Sequence, residues 1–311
     1  MVAIREKMDA IFLLIDSVAI LDMLCSFADL VSLSQEVFTR PKILEPRNDL
    51  SIKEGRHPML TILQKKRGRK DYDNDFVAND CYISKDRAFL ILTGPNGSGK
   101  STYIKQTVLI IILAQIGCFV PASEAIIPIR NRILSRIGSG DDMEHNISTF
   151  TMEMKEINYI LENANHNSIV IIDELGRGTS NIDGISLAFA IAEELLRLKA
   201  FCLFVTHYSQ ITSLSTIYSS AVNLHLKTVL GVLSEGLTYL HSIGNGPCEI
   251  KSGYGIMMAK VCNFPEEMIT EARNIQSVLR ATNPMLLFHN ITNKYTGILS
   301  SLKEKLTGLK E

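Results

Sequence analysis

Residues 93–102, T-G-P-N-G-S-G-K-S-T, have the types and the spacing to hold a phosphate. From Gly94 they read G-x-x-x-x-G-K-S, directly after the apolar run 89–92 and directly before an apolar helical stretch. Glycines let backbone N–H groups turn toward phosphate oxygens without a Cβ in the way, and the N-terminus of the following helix adds a partial positive charge. In this reading Gly94, Pro95, Asn96, Gly97, Ser98 and Gly99 form the cradle and Thr102 carries it into the helix. Lys100 reaches the β- and γ-phosphates, and the Ser101 hydroxyl holds Mg²⁺.

Two further apolar runs end in polar residues. Residues 169–172 lead into Asp173 and Glu174, and 202–205 lead into Thr206 and His207. Short, fully apolar runs alternating with helices such as 184–199 predict an α/β fold with a mostly parallel sheet covered on both faces. Ligands of such sheets sit at the C-terminal strand ends, so all three polar clusters are expected to converge on one nucleotide. Hydrolysis needs a positioned water and neutralised phosphate charge. Asp173 suits Mg²⁺, directly or through water, and Glu174 suits the catalytic base. His207 is either structural or a sensor that hydrogen-bonds a γ-phosphate. Ser148 and Thr149 precede a helical pattern; they serve as N-caps, or their helix end receives an anion from another subunit.

The elements that must position these groups fit an ordinary soluble globular chain, 46% hydrophobic and 21% charged. A net charge of −1 gives no global attraction to nucleic acid. The six cysteines form no C-x-x-C pair, which favours a reducing compartment. Residues 10–31 and 108–120 are apolar, but Asp16, Asp22 and Asp29 break the first and Gln115 the second; both read as core helices, and no membrane segment is expected. Residues 1–38 read as one helix or two ending near 39–41, Pro41 and Pro46 mark a linker, and 55–58 mark a turn. The basic run 65–70 is a solvated loop or an import signal. From Pro265 the pattern is helical, with a break at Asn283-Pro284 and a last amphipathic stretch around 298–306. That pair suits an oligomerisation module or a helical cap on the sheet.

Five motifs stand in order: T-G-P-N-x-S-G-K-S-T-Y-I-K-Q (93–106), A-Q-I-G-C-F-V-P-A (114–122), S-T-F-x-x-E-M (148–154), D-E-L-G-R-G-T (173–179) and F-V-T-H-Y (204–208). With G-R-H-P (55–58), F-V-A-N-D (76–80) and G-Y-G (253–255), the chain strongly resembles the ATPase domain of the MutS family of DNA mismatch-repair and recombination proteins over roughly residues 10–280. The resemblance implies an ABC-like P-loop fold with a helical lever remnant at 1–50, an ATPase domain at 51–265 and a C-terminal dimerisation region at 266–311. It also implies that Lys100, Ser101, Asp173 and Glu174 keep the roles given above, that Phe76 stacks on adenine with His241 on the same base, and that Ser148 is offered in trans to the partner's γ-phosphate. His207 matches the family's switch histidine. The implied partners are a second MutS-like subunit and DNA, the latter through mismatch-recognition, connector, lever and clamp regions that precede this segment in family members.

The run 152–164 is most similar to the eukaryotic meiotic branch, whose members pair with a different homologue as a sliding clamp; that implies a nuclear protein. Three departures stand out: Gly97 where the family usually has methionine, Ala78 where it has proline, and Ser252-Gly253-Tyr254-Gly255 in place of S-Y-G. G-P-N-G-S-G-K-S-T also occurs in ABC-type ATPases, the second reading, but no L-S-G-G-Q-like signature precedes Asp173. A third reading is an interaction module that binds ATP without turnover.

Overall fold

The computed structural model describes residues 8–32, 34, 37–46, 49–60, 76–138, 149–230, 237–248 and 254–282. Ser148, the basic run 65–70, Ser252 and Gly253, the break at 283–284 and the stretch 298–306 lie outside the described residues. In chain order the elements are α1 (Met8–Ser32), β1 (Lys42–Leu44), β2 (Leu50–Gly55), β3 (Asn79–Ile83), β4 (Phe89–Thr93), α2 (Lys100–Gln115), β5 (Glu124–Pro128), β6 (Arg132–Arg136) and α3 (Thr149–Asn163). There follow β7 (Ser168–Asp173), α4 (Asn181–Leu198), β8 (Phe201–Val205), a 3₁₀ turn (Ser209–Ser213), α5 (Leu214–Ile217), β9 (Ala221–Leu230), β10 (Leu237–Asn245), α6 (Tyr254–Val261) and α7 (Glu266–Thr282).

The chain divides into two compact units. The first comprises the described residues of Met1–Glu45, Leu50–Cys81 and Lys105–Ile129. Its four-stranded sheet runs β1-β5-β2-β3, with β1 parallel and β2 antiparallel to β5. Sequence reading did not anticipate this sheet, and β1 occupies what reads as a linker between Pro41 and Pro46. Two upstream motifs meet here. Arg56 Nη1 donates to the Phe76 carbonyl at 3.0 Å, and Gln106 Nε2 donates to the Gly55 carbonyl at 2.7 Å.

Two expectations for the N-terminal segment need correction. α1 ends at Ser32, short of 39–41, because Thr39 is already extended and exchanges backbone hydrogen bonds with Val120, and Arg40 precedes a proline, which disfavours helix. Nor is α1 a core helix: none of its residues is buried, and Phe12, Leu13, Leu14 and Leu21 are exposed. Its apolar residues surround the axis instead of forming one stripe, so no single face of it defines a core side. By length and composition alone it would cross a bilayer, a test that core helices also meet. The 108–120 reading holds, with Val108, Ile110, Ile111, Ala114 and Val120 all buried.

The second unit comprises the described residues of Pro46–Asp49, Tyr82–Ile104 and Arg130–Glu311. Its six-stranded sheet runs β10-β9-β4-β8-β7-β6. All neighbouring pairs are parallel except the β9–β10 hairpin. Every residue of β4, β7 and β8 is buried, which requires both faces to be covered, as the continuous apolar runs predicted. One core gathers Phe89, Ile91, Val170, Ile172, Cys202 and Phe204 from the sheet with Ile157 and Ile160 of α3 and Ile185, Ala188, Ile191 and Leu195 of α4. α4 starts three residues before the expected 184 because Ser180 caps it, its Oγ accepting the Asp183 N–H.

Candidate functional site

Strand register sets the site. Val205 of β8 pairs with Leu92 of β4 on one side and with Asp173 of β7 on the other, so three C-terminal strand ends are level. The backbone continues the alignment: Thr206 N–H donates to the Leu92 carbonyl at 3.1 Å, and Glu174 N–H to the Val205 carbonyl at 3.0 Å. In this sheet the next strand after β4 is β6, across β8 and β7, whereas the next after β8 is β9, across β4, so the connections leaving these two neighbouring strands run in opposite directions where the loop 94–99 leaves the sheet. Crevices at such reversals are where open α/β sheets take ligands.

The loop's geometry follows from its residues. Gly97 adopts a φ of +83°, open to glycine and strained for other residues. Pro95 accepts from the Ser98 N–H at 3.3 Å, and Ser98, fully buried, offers its carbonyl 2.8 Å from His241 Nδ1. A carbonyl only accepts, so Nδ1 of His241 carries the proton. His241 reaches the loop from an irregularity in the β9–β10 register, with a φ of +52°, the re-aiming that a bulge provides. Asn96 is exposed, while Ser101 and Thr102 open α2 partly exposed.

Lys100 is 4% exposed, and its Nζ donates to the carbonyls of Gly94 (2.8 Å) and Pro95 (3.0 Å) while lying 3.6 Å from Glu174 Oε1. Burial holds this ammonium below the usual lysine range, and the Glu174 and Asp173 carboxylates oppose that shift. The other oxygen of Glu174 meets Arg177 Nη2 at 2.5 Å. Partial desolvation, the Arg177 charge and the Lys100 charge lower the His207 pKa, with Glu174 opposing them. Lys100, Asp173, Glu174 and His207 are thus brought together, and His241 joins them through Ser98. Phe76 belongs to the first unit, and α3 begins at Thr149, one residue past Ser148.

Beside Asp173 and Glu174 lies a cleft of about 360 Å³ lined by Arg136, Thr149, Phe150, Glu153, Arg177 and glycines 138 and 178. Sequence reading missed four participants. Arg177 and Glu153 stand inside the quoted motifs D-E-L-G-R-G-T and S-T-F-x-x-E-M, which was the available signal, and Arg136 at the end of β6 had none. Tyr239 is the fourth, its ring within 3.6 Å of the position a Cβ on Gly97 would take.

Lys100, Asp173 and Glu174 around a glycine-rich loop at the level strand ends of a parallel sheet place this chain among α/β proteins whose sheets present their polar groups at the C-terminal strand ends. The family described as MutS domain V matches residues 90–280. "MutS protein homolog 4" of Homo sapiens is 41% identical over 276 residues, covering 88% of this chain and 28% of that protein. "DNA mismatch repair protein MutS" of Petrotoga mobilis is 40% identical over 277 residues (89% and 32%), and "DNA mismatch repair protein MSH4" of Arabidopsis thaliana 38% over 275 (88% and 33%). The chain belongs to the MutS family. It spans about a third or less of the length of these relatives.

Proposed function

We propose that the chain binds ATP and hydrolyses it to ADP and phosphate, as the ATPase part of a MutS-like protein acting in DNA mismatch repair or meiotic recombination. The observation that carries this reading is the Lys100–Glu174 approach of 3.6 Å across the ends of the sheet, with Asp173 beside it and His207 on the next strand. In the proposed reaction Lys100 moves from the Gly94 and Pro95 carbonyls to the β- and γ-phosphates. Glu174 accepts a proton from water as that water attacks the γ-phosphorus and the bond to the bridging oxygen breaks.

Ser101 and Asp173 would hold Mg²⁺. Among the described residues no cluster of three His, Cys, Asp or Glu side chains forms a metal cage, and one hydroxyl plus one carboxylate is the sparse oxygen set that suits Mg²⁺ completed by water and phosphate. The ion would neutralise charge on the transferred phosphoryl group. His207 senses the γ-phosphate, while Phe76 and His241 take the adenine-side roles and Ser148 the trans role that the resemblance gives them.

Residues 1–50 act as the lever remnant, 51–265 as the ATPase domain and 266–311 as the dimerisation region. The active species is a dimer with composite ATP sites, its partner a second MutS-like subunit, and the full assembly contacts DNA and works in the nucleus. Similarity to proteins named for DNA mismatch repair supports the repair branch of this reading, and the meiotic branch rests on the resemblance of residues 152–164.

The deciding experiment is Glu174→Ala. ATP affinity should persist while turnover falls by two or more orders of magnitude, about the scale of losing a general base. Turnover equal to the parent's, contamination excluded, would overturn the assignment.

A further inference from the structure

We propose that Glu153 is a positioning residue for the Glu174 carboxylate: together with Tyr208 it clamps both polar groups of Gly176 and so fixes the turn that carries Glu174 and Arg177. The inference rests on the ATP-hydrolysing reading above and deepens it.

Glu153 lies in the second turn of α3 and is 4% exposed. A carboxylate so buried must be paired. Its two oxygens lie 3.3 and 3.4 Å from the Gly176 nitrogen, whose N–H they share, and Oε1 lies 3.5 Å from Arg136 Nη2. From the opposite side the buried Tyr208 hydroxyl donates to the Gly176 carbonyl at 3.0 Å. One residue therefore has its donor held by α3 and its acceptor held by the segment after β8.

The turn at Gly176 admits only glycine. Its φ is +86°, and a Cβ there would stand 2.9 Å from both the Cα and the carbonyl oxygen of Gly184 at the start of α4. Two residues upstream, Glu174 carries a φ of +55°, a left-handed conformation that is strained for a non-glycine residue. Such strain persists only where the surroundings over-determine it. The Glu174 N–H on the Val205 carbonyl fixes one end of the strained residue, and the Gly176 clamp fixes the other. The Glu153 charge also reaches Tyr208, whose phenol pKa is raised by burial first and by that carboxylate second. The clamp thus joins three elements: α3, which starts on the rim of the 360 Å³ cleft, the Glu174 turn, and the residue next to His207.

The test compares Glu153→Ala, Glu153→Gln and Tyr208→Phe in the full chain. It uses three measurements: ATP affinity by calorimetry, single-turnover hydrolysis with excess protein, and hydrogen exchange of the 174–179 segment. In Glu153→Ala the affinity should stay within about twofold, hydrolysis should slow about tenfold to a hundredfold, the scale of a misplaced reacting group, and exchange at 174–179 should quicken. Glu153→Gln keeps an acceptor for Gly176 and should retain the rate within about threefold, and Tyr208→Phe should slow hydrolysis from the other side of the clamp. Parental rate and parental exchange in both Glu153→Ala and Tyr208→Phe would overturn the clamp. Should Glu153→Ala fail to fold, Tyr208→Phe decides alone: slower hydrolysis supports the clamp and an unchanged rate overturns it. A parent chain that binds no ATP would sink the ATPase reading instead, and the exchange measurement would still decide whether Glu153 and Tyr208 hold the turn.

Discussion

Lys100 Nζ lies 3.6 Å from Glu174 Oε1, so the cation assigned to phosphate and the carboxylate assigned to water hold one another across two strand ends. Arg177 takes the second oxygen of the same carboxylate at 2.5 Å. On the proposed reading, a γ-phosphate arriving at Lys100 would compete directly with Glu174 for one ammonium, and the base it displaced would still be restrained by Arg177 and by its own backbone. Phosphate capture and release of the base would then be one event.

Lys100→Ala is expected to weaken ATP binding by about two to four orders of magnitude, since two charge-assisted phosphate contacts of roughly 1.5–3 kcal/mol each are lost. Calorimetry on the folded variant reads it directly. An unchanged affinity would show that the loop 94–102 does not hold the phosphates.

His207 should titrate below 6.5, because desolvation and the charges of Arg177 and Lys100 disfavour its protonated form. The unfolded chain then binds the proton more readily, so the stability this residue contributes above pH 6.5 is lost as pH falls through the lower folded-state value. Proton NMR of the imidazole follows the titration. Arg177→Gln removes one lowering charge and should raise the His207 pKa; a fall would contradict the electrostatic account.

The three strands that end in chemistry were legible because β4, β7 and β8 are buried on both faces and so appear as unbroken apolar runs. The second sheet was not. β3 alternates burial, hiding Asn79, Cys81 and Ile83 while exposing Asp80 and Tyr82, and a buried asparagine disguises a five-residue strand. β1 has three residues and gains its partner from β5, more than eighty positions later. The same distance effect concealed the clamp, for Glu153 lies 23 residues from Gly176 and Tyr208 lies 32 residues beyond it. Local pattern nominates the residues proposed to carry the chemistry, but only tertiary pairing shows what holds them.

Gly97→Met installs the residue that the family usually carries at this position, but here the φ is +83° and Tyr239 lies 3.6 Å from the new Cβ. The contact is an ordinary one, so the cost comes from the backbone, about 1–2 kcal/mol. Denaturant unfolding should show that loss. A side chain also restricts the loop, so release of a fluorescent ADP analogue should slow several-fold; a faster release would mean that Gly97 does not set loop mobility.

Dimerisation is the last expectation, and it follows from where the site is open. Asp173 and Glu174 form one wall of a 360 Å³ cleft whose rim is Thr149, Phe150 and the exposed Arg177. No rim residue at that opening has a role in the proposed γ-phosphate contacts, whereas the composite-site reading places a partner's Ser148 there. Light scattering on Glu174→Ala, which binds ATP without consuming it, should show the mass double only when ATP and Mg²⁺ are added. Replacing Ser148 by alanine should abolish that doubling while leaving the ATP affinity of the monomer intact, because the composite-site reading assigns its contact to the opposing subunit. A mass independent of ATP would exclude a composite site between two copies of this chain and would leave a different MutS-like subunit to complete the site.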